Sequence, residues 1–126
     1  MLNLRITRAT KINKNSLVLD VGSGTGHHVR MLNNDNIKTI GLDKSKAIVE
    51  FSKSKYPKMK FIHGDVLTTS LFDLSTFSHI TSFCFTTYYI KDKLTYFRNC
   101  YDWLKPGGYM IVHLVDRERF DPILNA

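Results

Sequence analysis

No stretch of this 126-residue chain approaches the roughly 20 consecutive apolar residues that a membrane span needs, and the opening MLNLRITRAT lacks the apolar run of a signal peptide. A membrane or exported protein is not expected, and the chain is read as cytoplasmic. Cysteine is scarce: Cys84 and Cys100 sit inside apolar segments without a pairing pattern, so buried free thiols are expected and not a disulfide framework. Internal repeats and low-complexity tracts are absent, which leaves a single domain over residues 1–126. The histidines His27, His28, His63, His79 and His113 lack metal-ligand spacing and a supporting Cys or acid cluster, so no metal is expected.

Acids are also in short supply, with 11 Asp and Glu against 18 Lys and Arg, a net charge of +7. Basic residues gather at Lys53, Lys55, Lys58 and Lys60 and, near the start, at Arg5, Arg8, Lys11 and Lys14. Such an excess attracts polyanions through counterion release. No aromatic platform is interleaved with these lysines, so a solvated surface is preferred to a nucleic-acid interface. With 43% hydrophobic and 23% charged residues, the composition is that of a globular protein with a modest core.

Five apolar segments have strand length: SLVLDV (16–21), KTIGLD (38–43), KFIHGDV (60–66), HITSFCF (79–85) and YMIVHLV (109–115). Most are continuously apolar and not alternating, which suits strands covered on both faces of a parallel sheet. Between them lie helical segments. One runs from Lys44 to Lys55, ahead of Pro57. Another, YIKDKLTYFRNCYDWL, places Ile90, Leu94, Phe97, Tyr101 and Leu104 on one face by their 4, 3, 4, 3 spacing, and that stripe is predicted to be core. Pro106, Gly107 and Gly108 are predicted to form the turn that ends it. Alternating strands and helices predict an α/β doubly wound sheet with helices on both faces, and ligands at the carboxyl ends of its strands.

At the first such end stands LVLDVGSGTGHH, residues 17–28. Gly22, Gly24 and Gly26 would let a ligand approach the backbone, and the helix beginning near Gly26 would offer its positive end to a carboxylate or phosphate. The dinucleotide fingerprint G-x-G-x-x-G requires glycine at position 27, where this chain has His27, which disfavours a nicotinamide-dependent oxidoreductase. The pattern is instead Asp20-x-Gly22-x-Gly24-x-Gly26. His27 and His28 are expected to be exposed residues of the first helical turn.

LDVGSGTG resembles the first motif of the class I S-adenosylmethionine-dependent methyltransferases. GLDKS is similar to the second motif of that family, IHGDV to the third and SFCFTTYYI to the fourth, and LKPGGYMIVHLVD resembles the turn and strand that follow. The resemblance covers nearly the whole chain. It implies a Rossmann-like, mostly parallel sheet of strand order 3-2-1-4-5 in a three-layer α/β/α arrangement, with S-adenosylmethionine as cofactor. It gives Asp43 the ribose hydroxyls, and places Asp65 at the adenine amino group, with Val66 beside the ring. Asp20 would help hold the loop and the methionine ammonium group, and Ser23, Lys44 and Phe83 would complete the cofactor site. Independently, Asp43 lies 21 residues after Gly22, near the roughly 20 of a ribose-binding acid. The structural alternatives are a strand-end acid for Asp20, a helix N-cap for Asp43 and a Gly-Asp turn for Asp65.

The same resemblance places the methyl acceptor at the end of strand four, by Thr86, Thr87 and Tyr88, with Tyr89 adjacent. Methyltransferases acting on base amines carry Asn or Asp and then Pro-Pro-Tyr or Phe there. TTYY has no proline, so a small-molecule acceptor is preferred to nucleic acid. No catalytic base is assigned, because displacement at an activated sulfonium rests on positioning. The family's usual domain continues with two further strands, whereas this chain ends ten residues after Asp116. The fifth strand would then be an open edge that invites a homo-oligomer, and a cofactor-binding module without turnover is the alternative function.

Overall fold

The computed structural model describes residues 10–83 and 90–112. Thr86, Thr87, Tyr88, Tyr89 and Cys84 lie outside these residues, as do Arg5, Arg8 and the end of the chain from His113. In chain order the elements are β1 (Leu17–Val21), α1 (His27–Asn34), β2 (Lys38–Asp43), α2 (Lys46–Lys55), β3 (Lys60–His63), a 3₁₀ turn (Thr69–Leu71), β4 (Phe77–Ser82), α3 (Lys93–Trp103) and β5 (Leu104–Val112). No helix among the described residues is long and apolar enough to cross a membrane.

All four strand pairings are parallel, and the sheet order is β3-β2-β1-β4-β5. The expected α/β topology is therefore present. Its central strand β1 is buried because each face meets a different helical layer. Leu19 and Val21 join Leu42, Phe77, Ile80, Tyr96, Cys100 and Trp103 on the α3 side, while Val18 packs with Ile12, Leu32 and Ile37. Val29 of α1, Val49 of α2 and Phe61 of β3 form a third cluster. The chain winds outward from β1 through β2 to β3, then returns to place β4 on the other side of β1. That reversal opens a crevice at the carboxyl end of β1, where ligands bind in such sheets.

Local signals set the helix limits. Ser45 caps α2 by accepting from the Ile48 N–H at 3.3 Å, and Asp92 caps α3 by accepting from the Thr95 N–H at 3.1 Å. Lys53 and Lys55 occupy the last turn of α2, where cations complement the helix dipole. Contrary to the expectation from sequence, aromatics do accompany this lysine cluster. The Lys55 ammonium lies 5.9 Å from the centroid of Phe51 and 5.4 Å from that of Tyr56, distances at which a ring attracts a cation.

The buried face of α3 is not the predicted one. Leu94, Phe97 and Tyr101 are 73%, 41% and 79% exposed, whereas Tyr96, Asn99, Cys100 and Trp103 are buried. Both sets repeat at helical spacing, so periodicity alone does not separate them. Size does: Trp103 packs edge-on against Phe72 with centroids 5.0 Å apart, and Phe72 meets Phe77 the same way, so the indole fills the layer beneath β4.

A second correction concerns Pro106, Gly107 and Gly108, which lie inside β5 and do not precede it. Phe77 pairs with Leu104 but His79 pairs with Tyr109, so the intervening residues bulge out of the ladder. Gly107 takes a φ of +79° there, and a Cβ on Gly108 would come 2.8 Å from the Ser78 carbonyl.

Trp103→Ala is expected to cost about 3–5 kcal/mol of unfolding free energy, whereas Tyr101→Ala stays within about 0.5 kcal/mol of the parent. Urea denaturation of the two variants checks this, and the reverse order would show that the Leu94–Tyr101 stripe is the buried one.

Candidate functional site

The site begins where β1 runs out of side chains. Gly22, Gly24 and Gly26 have φ of 71°, 56° and 90°, a left-handed backbone that glycine adopts without cost. The loop is tied to β2 because the N–H groups of Gly22 and Ser23 both donate to the Leu42 carbonyl, at 2.7 and 3.0 Å. A Cβ on Gly24 would meet nothing within 4 Å, so the chain leaves open space in front of that residue.

The Gly24 residue itself is held from two directions. Its N–H donates to Asp43 Oδ2 at 2.9 Å, and its carbonyl accepts from the Ser52 hydroxyl at 2.9 Å. Asp43 Oδ1 meanwhile accepts from the Ser45 N–H at 2.9 Å. One carboxylate thus joins the glycine loop to the start of α2, while the N-cap of that helix is Ser45 and not Asp43. Ser52 was not singled out by sequence reasoning, since a serine inside a helix carries no motif.

Gly41 was also missed. A Cβ there would lie 2.7 Å from both Ser23 Oγ and a ring carbon of Phe61, so only glycine lets the loop settle on β2. Its signal in the sequence was an isolated glycine inside a strand, which marks a close approach of another part of the chain. Ser23, within the loop, is buried, and its hydroxyl has no hydrogen-bond partner among the described residues.

Asp65 follows β3. Its Oδ1 accepts from the Leu67 N–H at 2.9 Å, and its Oδ2 stands 3.7 Å from the Lys44 ammonium. The lysine is 84% exposed and the Asp65 side chain 36%, so this ion pair contributes little to stability. His63 also reaches the Lys44 carbonyl, at 3.1 Å.

These residues surround one cavity of ≈ 730 Å³, within the range of small-ligand and cofactor sites. Gly22, Gly24, Asp43, Lys44, Asp65 and Val66 line it together. Of the other expected cofactor residues, Asp20, Ser23, Gly26 and Phe83 are not in its lining. Gly26 is fixed instead by Phe61 and Tyr56, whose ring carbons would stand 2.8 and 3.2 Å from a Cβ. Phe83 lies beside the ring of His28, centroids 4.5 Å apart. His27 is exposed as expected, while His28 is half-buried.

Asp20 is 1% exposed and accepts from the Thr81 hydroxyl at 2.8 Å. Burial raises its pKa to about 7, the Thr81 hydrogen bond opposes the rise, and the Asp43 charge adds to it.

A parallel sheet of this order, with a glycine loop after the first strand and acids after the second and third around one cavity, defines a Rossmann-like domain that binds a nucleotide-type cofactor. The chain belongs to the methyltransferase domain family, whose model matches residues 18–108. It is 32% identical over 107 residues to a dTDP-4-amino-2,3,4,6-tetradeoxy-D-glucose N,N-dimethyltransferase of Saccharopolyspora spinosa, covering 82% of this chain and 42% of that protein. It is 31% identical over 120 residues to a phosphoethanolamine N-methyltransferase of Plasmodium falciparum, covering 86% and 42%. A crystal structure of a putative S-adenosyl-L-methionine-dependent methyltransferase from Methanococcus maripaludis superposes with a TM-score of 0.77 at 23% identity, over 86% of this chain and 51% of that one. The chain spans about two fifths of the length of the curated relatives it matches.

Between the ordinary Asp pKa of 3.8 and about 7, Asp20 holds a proton in the folded chain that it gives up on unfolding. The folded state binds more protons in that window, so this group makes stability fall as pH rises through it. Urea midpoints measured at about pH 5 and about pH 8 are expected to drop with pH, and to drop less in Asp20→Asn. Identical pH responses of parent and variant would show that Asp20 stays ionised in the fold.

Proposed function

We propose that this chain is the S-adenosylmethionine-binding domain of a methyltransferase acting on a small-molecule acceptor in the cytoplasm. The observation that carries this reading is the convergence of Gly22, Gly24, Asp43, Asp65 and Val66 on one cavity at the carboxyl ends of β1, β2 and β3. The donor set fits an adenosyl group. Each oxygen of Asp43 spends one lone pair on a backbone N–H and keeps another for a ribose hydroxyl. Asp65, a lining residue of the cavity, keeps Oδ2 free of backbone partners beside the exposed Lys44 ammonium, and this oxygen can accept from an exocyclic amine. No group among the described residues accepts from the Val66 N–H, which leaves a donor for a ring nitrogen. Leu42, Leu67 and Ile90 supply the apolar lining against which a base can pack.

S-adenosylmethionine, when bound, supplies a methyl group already activated as a sulfonium. The chain then has to hold the adenosyl end still, and the Asp43–Gly24–Ser52 arrangement does so without moving parts, because both polar groups of Gly24 are already fixed. The small-molecule acceptor is supported by the names of the two curated relatives above, one an aminosugar nucleotide N,N-dimethyltransferase and the other a phosphoethanolamine N-methyltransferase.

Calorimetric titration with S-adenosylmethionine and S-adenosylhomocysteine tests the reading. Both are expected to bind, and Asp43→Ala is expected to weaken binding about 10- to 100-fold, the loss of hydrogen bonds to a charged group. No heat of binding at millimolar ligand would end the assignment. Methyl transfer to a panel of small amines separates an enzyme from a module that only binds.

A further inference from the structure

The turn that follows Asp65 is held by the opposite layer of the molecule. Asn99 of α3 donates from Nδ2 to the Val66 carbonyl at 2.9 Å, and one helical turn later the Trp103 indole N–H donates to the Thr69 carbonyl at 3.3 Å. Residues four apart lie on one helix face, so α3 grips the turn at two carbonyls. Within the turn the Asp65 carbonyl accepts from the Thr68 N–H at 2.9 Å, and Asp65 Oδ1 accepts from Leu67. The segment facing the cavity is thus braced internally and from behind.

Asn99 is an odd residue for its place. It is wholly buried beside the apolar Tyr96, Cys100 and Trp103, and its Oδ1 has no hydrogen-bond partner among the described residues. An amide with one end unpaired carries an uncompensated desolvation cost, so stability alone does not account for it. Its one bond ends on Val66, a cavity residue.

We propose that Asn99 is a positioning residue for base recognition: by clamping the Val66 carbonyl it fixes the Asp65–Val66 backbone at the spacing that reads the amino group and neighbouring ring nitrogen of adenine. This rests on the adenosyl reading of the cavity. Adenine offers a donor and an acceptor on that edge, hypoxanthine an acceptor and a donor. A fixed Asp65 acceptor and Val66 donor match the first and oppose the second, and a site of fixed hydrogen-bonding groups rejects the mismatched partner strongly. If the turn is loose, both bases can be accommodated and the discrimination falls.

The test compares S-adenosylhomocysteine with S-inosylhomocysteine by calorimetry. The parent is expected to prefer the adenosyl ligand by at least about tenfold, the equivalent of one well-placed hydrogen bond. Asn99→Leu, checked for its fold by near-ultraviolet circular dichroism, is expected to bring the two affinities within about threefold, chiefly by losing affinity for the adenosyl ligand. A merely structural role would weaken both ligands alike, so an unchanged ratio in Asn99→Leu overturns the proposal, as does a parent that binds both equally. Should the variant not fold, the nitrogen-15-labelled parent decides: the Asn99 side-chain amide signals are expected to shift on adding S-adenosylhomocysteine, and no shift overturns the assignment. A parent that binds neither ligand sinks the methyltransferase reading itself.

Discussion

The site depends on Gly24 being held at both of its backbone polar groups while its missing side chain leaves a space. Asp43 takes the N–H and Ser52 takes the carbonyl, so a loop built from the most permissive residue of the chain is ordered without a side chain of its own. Glycine loses more freedom on folding than any other residue, and these two hydrogen bonds offset that loss where the loop lines the cavity. Asp43 also binds the Ser45 N–H, so loop, strand end and helix start share one carboxylate.

Topology gives that carboxylate its neighbours. Because the chain winds from β1 to β3 on one side and returns to β4 on the other, the ends of β1, β2 and β3 lie side by side beneath an open crevice. The layer containing α1 and α2 supplies the loop and its ties. The opposite layer contributes α3, whose Asn99 and Trp103 reach the turn after Asp65. Asp20, one strand residue before the loop, is the cost of this compactness: a carboxyl group buried against Thr81 and near Asp43.

Much of this was legible from residue patterns because parallel strands and their glycine turns are local features. The five apolar segments became five strands, and of the residues singled out Gly22, Gly24, Asp43, Lys44, Asp65 and Val66 line one cavity while Asp20, Ser23, Gly26 and Phe83 do not. What escaped was set by packing between distant segments. α3 carries two apolar stripes, and only the volume of Trp103 against Phe72 decides which one turns inward. Ser52, Gly41 and Asn99 act through contacts 28, 18 and 33 residues away along the chain, which no spacing rule reports. Pro106 to Gly108 read as a turn because their residue types favour turns, yet the ladder to β4 absorbs them as a bulge.

The most direct measurement is a crystal structure of the chain soaked with S-adenosylhomocysteine. The expected result has both ribose hydroxyls donating to Asp43 at about 2.7 Å, with the Gly24 N–H still on Oδ2 and the base lying between Asp65 and the apolar wall of Leu67. A ligand seated elsewhere, or an Asp43 that abandons Gly24 to reach the sugar, would contradict the view that one pre-set carboxylate organises both the loop and the nucleoside.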